Sequence, residues 1–374
     1  MNLLDEYINS MASLGASDLF ISVGLAVSAK INGELEPLNS HKLSYDECLD
    51  LVHQTMTPDQ IDSFNKDLEC NFAISRSNIG RFRCNAFWQR NMPGMVIRRI
   101  QVDIPNTESL GIPDVLKKVI MAKKGLVLFV GGTGTGKSTS LASLIDHRNQ
   151  HSYGHILTIE DPIEYLHKHK NCIITQREIG IDTLSFDDAL KTSLRQAPDV
   201  ILIGEIRSMK TMEYALSFAD TGHLCVATLH ANNANQAIER IMHLAPKELH
   251  NKLRFDLSQN IRAIVAQQLV PVANGKGRVA AIEVLLNSPY VSDLIMRNEI
   301  GELKEAMMKG KDMGMKTFDM ALYDLYAANK ITEEQALHHA DSQNDLRLMI
   351  KMRNGVGDEG SLGSLSNVTV DLDN

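Results

Sequence analysis

Gly131, Gly132, Thr133, Gly134, Thr135, Gly136, Lys137 and Ser138 spell GxxxxGK[ST], with Thr139 completing GGTGTGKST. They follow the apolar run LVLFV and precede the helix-forming STSLASLIDH, so the stretch must fold as buried strand, tight loop and helix. Glycines let backbone N–H groups wrap a polyphosphate. Lys137 reaches its β/γ oxygens, and the Ser138 hydroxyl is placed for Mg²⁺. From Gly125 onward the runs KGLVLFVGG, HILTIED, NCIITQRE, DVILIGE and HLCVATLH alternate with helical segments. That pattern predicts a largely parallel sheet covered on both faces, with ligands at the carboxyl ends of its strands.

The 374 residues suffice for two or three domains. From Ser17 to about Ile100 short alternating runs are divided by NG, SNIG and NMPG turns around one helical stretch near Ser44 to Met56, predicting a small α/β domain over 1–100. MNLLDEYINSMASLGASDLF reads as an amphipathic helix rather than a signal peptide. Pro105 and Pro113 mark a linker over 101–118. The core with the phosphate-binding loop follows at 119–288, then helices over 289–353, whose methionines read as core packing. Residues 354–374 carry four acids and no base among many Gly and Ser, and read as a disordered acidic tail.

The net charge is −8, of which the tail holds −4, so the body is close to neutral. Five scattered cysteines without a CxxC pair argue against a disulfide frame or zinc site. No run of about 18 apolar residues is present, so no direct membrane insertion is expected.

DVILIGEIR reads as a buried strand ending in Glu205, where a second carboxylate meets the Mg²⁺ hydration shell. His223 and His230 flank the strand LCVATL, which puts His230 at the carboxyl end beside the phosphate site. Alternation sets Arg81 and Arg83 on one strand face, where a charged fork would neutralise a triphosphate. Arg90 and Arg99 read as solvated, and His147, His151, His155, His167 and His169 as surface residues, since nothing completes a metal set.

Together with ILTIEDPIEY and TGHLCVATLHANNA, the blocks GGTGTGKST and ILIGEIR resemble the secretion ATPases of type II secretion and type IV pili. GASDLFISVG and GRFRCNAFWQR are similar to the PilT/PilU retraction branch, and residues 1 to about 350 are covered. The resemblance implies a PAS-like first domain and a RecA-like P-loop ATPase domain with a C-terminal helical subdomain. It assigns Glu164 as catalytic base and Glu160 and Asp161, with Ser138 and Glu205, to the metal shell. It makes His230 a sensor of the γ-phosphate, Arg83 and Arg98 nucleotide ligands from the first domain, and Arg207 an intersubunit arginine. ATP and Mg²⁺ are the implied cofactors. A homo-hexamer at the cytoplasmic face of the inner membrane is implied, with a PilC-like platform protein and PilT as partners.

The C-terminal helices depart from PilT: VSDLIMRNEIGELKE replaces its Ala-Ile-Arg-Asn-Leu-Ile-Arg block, and Ser208 stands where Asp usually follows GEIR. Those departures and the tail look more like the PilU type, either a retraction motor or an accessory subunit dependent on PilT. A DNA translocase is disfavoured by the match of the motor motifs to a pilus ATPase, and an ABC-type ATPase by the absence of an LSGGQ-like signature.

Overall fold

Apolar residues at helical spacing start the first domain. In the computed structural model, which describes residues 3–77 and 79–355, α1 (Leu3–Ser13) buries Leu4, Tyr7, Ile8 and Met11 along one face. The strands β1 (Asp18–Ser22), β2 (Ala26–Ile31), β3 (Glu34–Lys42), β4 (Glu69–Arg76), β5 (Gly80–Gln89) and β6 (Met92–Arg99) form an antiparallel sheet in the order β3-β2-β1-β6-β5-β4. Where the sequence suggests one helix, two form: α2 (Tyr45–His53) and α3 (Pro58–Asp67), each opened by a capping box. The second escapes a periodicity search because Phe64 is its one buried residue. Trp88 stacks on that ring, with centroids 5.4 Å apart and planes 20° from parallel.

The expected linker is shorter than 101–118. Helix α4 (Asp114–Ile120) starts right after Pro113 and buries Leu116, Val119 and Ile120 against the second sheet, so it belongs to the ATPase domain. Buried Arg148 fixes it by donating through Nη1 to Ile120 O at 2.6 Å and Ala122 O at 2.7 Å.

The second sheet holds β7 (Gly125–Val130), β8 (Gly154–Glu160), β9 (Cys172–Glu178), β10 (Val200–Ile203), β11 (Leu224–Leu229), β12 (Ile261–Pro271) and β13 (Arg278–Leu286). Its order is β13-β12-β7-β11-β10-β8-β9, and every pairing is parallel except β12 with β13. All six residues of β7 are buried, and they alternate between two cores. Leu126, Leu128 and Val130 face one, Val127 and Phe129 the other. The covering helices are α5 (Lys137–His151), α6 (Phe186–Ser193), α7 (Met209–Asp220), α8 (Ala234–Leu244) and α9 (His250–Asn260).

Among the described residues, the helices α10 (Pro289–Arg297), α11 (Leu303–Lys309), α12 (Phe318–Ala327), α13 (Glu333–His339) and α14 (Gln343–Gly355) follow. They share the sheet's core rather than forming their own, through Leu303, Met307, Phe318, Leu322, Leu346 and Ile350. Met307 and Met315 are buried as expected, whereas Met296, Met308 and Met313 are exposed. A buried polar hub ties this layer to the sheet. Glu283 on β13 accepts the Ala234 N–H at 2.8 Å. Asp319 on α12 accepts Lys304 Nζ at 2.7 Å and the Asp341 N–H at 2.9 Å. The acidic tail expected at 354–374 lies outside the described residues, except that 354 and 355 close α14.

Candidate nucleotide site

The loop after β7 needs its glycines. Gly131, Gly134 and Gly136 have φ of +153°, +76° and +85°, and a Cβ on Gly131 would stand 2.6 Å from Gln267 O and 2.7 Å from Thr135 Oγ1. A Cβ on Gly136 would stand 2.8 Å from Gln267 Nε2. Gln267, buried on β12, is thus the floor of the loop, and its Nε2 donates to Thr135 O at 2.9 Å. Its Oε1 is buried without a partner. Sequence reasoning missed this residue, because IRAIVAQQLVP reads simply as an apolar run.

Lys137 Nζ donates to the loop's own Gly131 O and Gly132 O, both at 2.7 Å, and burial draws its pKa down while Glu205 opposes the shift. Ser138 is exposed at the start of α5. Thr139 Oγ1 and Tyr165 OH share a hydrogen bond of 2.9 Å, tying that helix to the acidic block.

Since β11 lies between β7 and β10, His230, one residue past β11, stands between the loop and Glu205. His230 Nε2 is 3.3 Å from Glu205 Oε1, Arg207 Nε donates to Glu205 Oε2 at 2.7 Å, and Arg207 Nη1 lies 3.9 Å from Asp161 Oδ2. Strand β10 ends at Ile203 rather than at Glu205. Gly204 then passes against β8, where a Cβ would come within 3.1 Å of Glu160 Cα and Ile159 O. His223 sits at the opposite end of β11.

Glu160 closes β8, accepting from Thr158 Oγ1 at 2.6 Å and Gln176 Nε2 at 3.2 Å. Burial pushes its pKa up to about 7, with a smaller push from Glu164 and Glu178. Glu164 itself is exposed. A cavity of about 430 Å³ adjoins the loop, lined by Gly131, Gly132, His230, Asn232, Gln236 and Arg240.

Among the described residues no three His, Cys, Asp or Glu side chains converge tightly enough to hold a metal unaided. The donor set fits a hard cation held mainly through phosphate oxygens and the Ser138 hydroxyl, with carboxylates outside it.

The first domain's arginines stand elsewhere. Arg98 Nε donates to Asp18 Oδ1 at 2.6 Å, and Arg83 Nε is 3.9 Å from Glu178 Oε1. The structure therefore gathers Lys137, Glu205, His230, Arg207 and Asp161 and leaves Arg83 and Arg98 apart from them. His147 and His151 stack on each other along α5, 4.3 Å between centroids.

Residues 1–335 match the family described as "Type II/IV secretion system protein". The chain is 55% identical to the type IV pilus ATPase PilU of Pseudomonas aeruginosa, over 98% of this chain and 95% of that one. It is 38% identical to that organism's type IV pilus retraction ATPase PilT, over 90% and 98% of the two chains. Among solved structures, the pilus retraction motor PilT with bound ADP superposes with a TM-score of 0.86 at 37% identity, covering 93% of this chain and 100% of that one. No helix among the described residues is long and apolar enough to cross a membrane.

Proposed function

The chain belongs to the Type II/IV secretion system protein family as a pilus retraction-related ATPase, and on that premise we propose that it works as a PilU-like, Mg²⁺-dependent hexameric motor that powers or assists pilus retraction. The observation that carries this reading is the row at the carboxyl edge of the second sheet: the glycine loop with Lys137, then His230, then Glu205 joined to Arg207. ATP phosphates would draw Lys137 Nζ off the Gly131 and Gly132 carbonyls, an exchange of neutral acceptors for anionic ones. Mg²⁺, held by Ser138 with Glu160, Asp161 and Glu205 around it, would supply charge neutralisation on the β/γ oxygens. Glu164 on the exposed block polarises the attacking water, because phosphoryl transfer asks mainly for positioning and electrostatic stabilisation.

His230 contacts Glu205 and faces the loop, so it reports the γ-phosphate to that carboxylate. Arg83 and Arg98 reach the nucleotide when the first domain closes, and Arg207 serves a neighbouring subunit. Sequential closure around a ring would displace a pilus platform protein of the PilC kind at the cytoplasmic face of the inner membrane. The greater identity to PilU than to PilT, 55% against 38%, favours a second reading, an accessory subunit that needs PilT for output.

Purified chain should hydrolyse ATP with Mg²⁺ and lose turnover with excess EDTA. Lys137→Ala and Glu164→Ala should each abolish turnover, and retained activity in either refutes the site. Turnover that appears only on adding PilT selects the accessory reading.

A further inference from the structure

Glu178 ends β9, directly beside Glu160 in the parallel register of β8 and β9. It is 1% exposed, and its Oε2 has no hydrogen-bond partner. Carboxylates are seldom buried that deeply unless a cation faces them. The facing cations come from the other domain. Arg83 Nε is 3.9 Å from Glu178 Oε1, and Arg81, whose Nε is buried without a partner, also favours the charged form of Glu178. Burial pushes the other way and holds the Glu178 pKa above the ordinary carboxylate range.

The first sheet explains why Arg83 looks outside its own domain. Asp18 on β1, Arg98 on β6 and Arg83 on β5 are direct cross-strand neighbours and share one face. Asp18 is already bonded to Arg98 at 2.6 Å, and Ala73 is the residue opposite Arg83 on β4. The row thus holds two arginines and one acid, and Glu178 supplies the missing acid.

We propose that Glu178 is the resting counter-ion of Arg83 and Arg81, a positioning residue that holds the first domain on the outer edge of the ATPase sheet and competes with nucleotide phosphate for Arg83. This rests on the reading that Arg83 reaches the nucleotide on closure. Four strand spacings separate β9 from β7, about 19 Å at roughly 4.8 Å each, farther than an arginine side chain spans. Arg83 therefore leaves Glu178 only when the domain moves as a body. A contact at 3.9 Å with unpartnered polar atoms at Arg81 and Glu178 is loose enough to be surrendered. The backbone joins the domains nearby, where the Leu166 N–H donates to Gln101 O at 2.9 Å.

An open state stabilised by this pair lowers apparent nucleotide affinity by the fraction of closed protein it leaves. The test measures binding of a fluorescent, non-hydrolysable ATP analogue to the full-length chain as wild type, Glu178→Gln, Glu178→Asp, Arg83→Gln and Glu178→Gln/Arg83→Gln. Glu178→Gln should tighten binding about tenfold, Glu178→Asp should tighten it severalfold because its shorter reach weakens the pair, and Arg83→Gln should weaken binding. In the Arg83→Gln background the Glu178→Gln effect should fall below about twofold, since the two residues act as a pair. Unchanged or weaker binding in Glu178→Gln, or an equal effect in both backgrounds, overturns the proposal while a weakened Arg83→Gln leaves the site reading standing. Unchanged binding in Arg83→Gln overturns both. Should Glu178→Gln not fold, Glu178→Asp decides: severalfold tighter binding upholds the role, and unchanged or weaker binding refutes it.

Discussion

Glu283 is 2% exposed on β13 and holds the N–H of Ala234, the first residue of the helix that follows the His230 segment. Burial raises its pKa from 4.5 to about 7, with Asp341 adding to the rise, while Lys304 and the N–H groups of Ala234 and Phe318 oppose it. A carboxyl that is harder to ionise folded than unfolded stabilises the fold fully below pH 4.5. That stability is lost as pH climbs to about 7 and stays lost above it, because there the unfolded chain has already released its proton. At about 1.4 kcal/mol for each pH unit between those two values, the burial is worth about 3 kcal/mol. Glu283→Gln removes the titration but keeps an oxygen to accept the Ala234 N–H. The variant should therefore be more stable than wild type by less than about 1 kcal/mol at pH 5 and by about 3 kcal/mol at pH 8. Urea unfolding followed by far-UV circular dichroism at the two pH values measures both differences. A variant equally or less stable than wild type at pH 8 would refute the reasoning, and with it the view that this hub is strained by charge at neutral pH.

Gln267→Leu should change unfolding free energy by no more than about 1 kcal/mol, since it removes an unpaired Oε1 along with the bond to Thr135 O. Because that bond shapes the loop, nucleotide binding should weaken severalfold, and unchanged affinity would show the loop holds its form alone. Lys304→Met strips the cation from Asp319, which is 1% exposed, and should destabilise the chain by about 3–5 kcal/mol at neutral pH. Urea titration checks it, and a loss under about 1 kcal/mol would mean that the Asp341 and Ser342 N–H groups suffice.

The nucleotide loop, the strands from Gly125 to His230 and the two-domain α/β division were legible because each is written locally: glycines at a strand end, apolar runs of strand length, turn pairs between them. Lys137, Glu205 and His230 follow from that grammar once strands are parallel, as each sits at a carboxyl end. The missed pieces depend on the order of strands across the sheet, which no local pattern encodes. Gln267 matters only because β12 lies next to β7. Glu178 reads as an ordinary strand-end acid until β5 of the other domain is found facing it. Arg98 is bound instead by Asp18, a pairing set by the register of β1 and β6. The helix that begins inside 101–118 hid behind its prolines, because Pro113 precedes the first turn, where a missing N–H costs little.

Trp88 is the single tryptophan of the sequence, and it rests on Phe64 in the first domain. Every photon emitted on excitation near the red edge of protein absorption therefore comes from the first domain. The molecule carries a built-in optical label for its first domain, against which backbone dichroism registers both halves. Melting curves read by the two signals side by side would show, with no dye attached, whether the halves come apart in one event or in sequence.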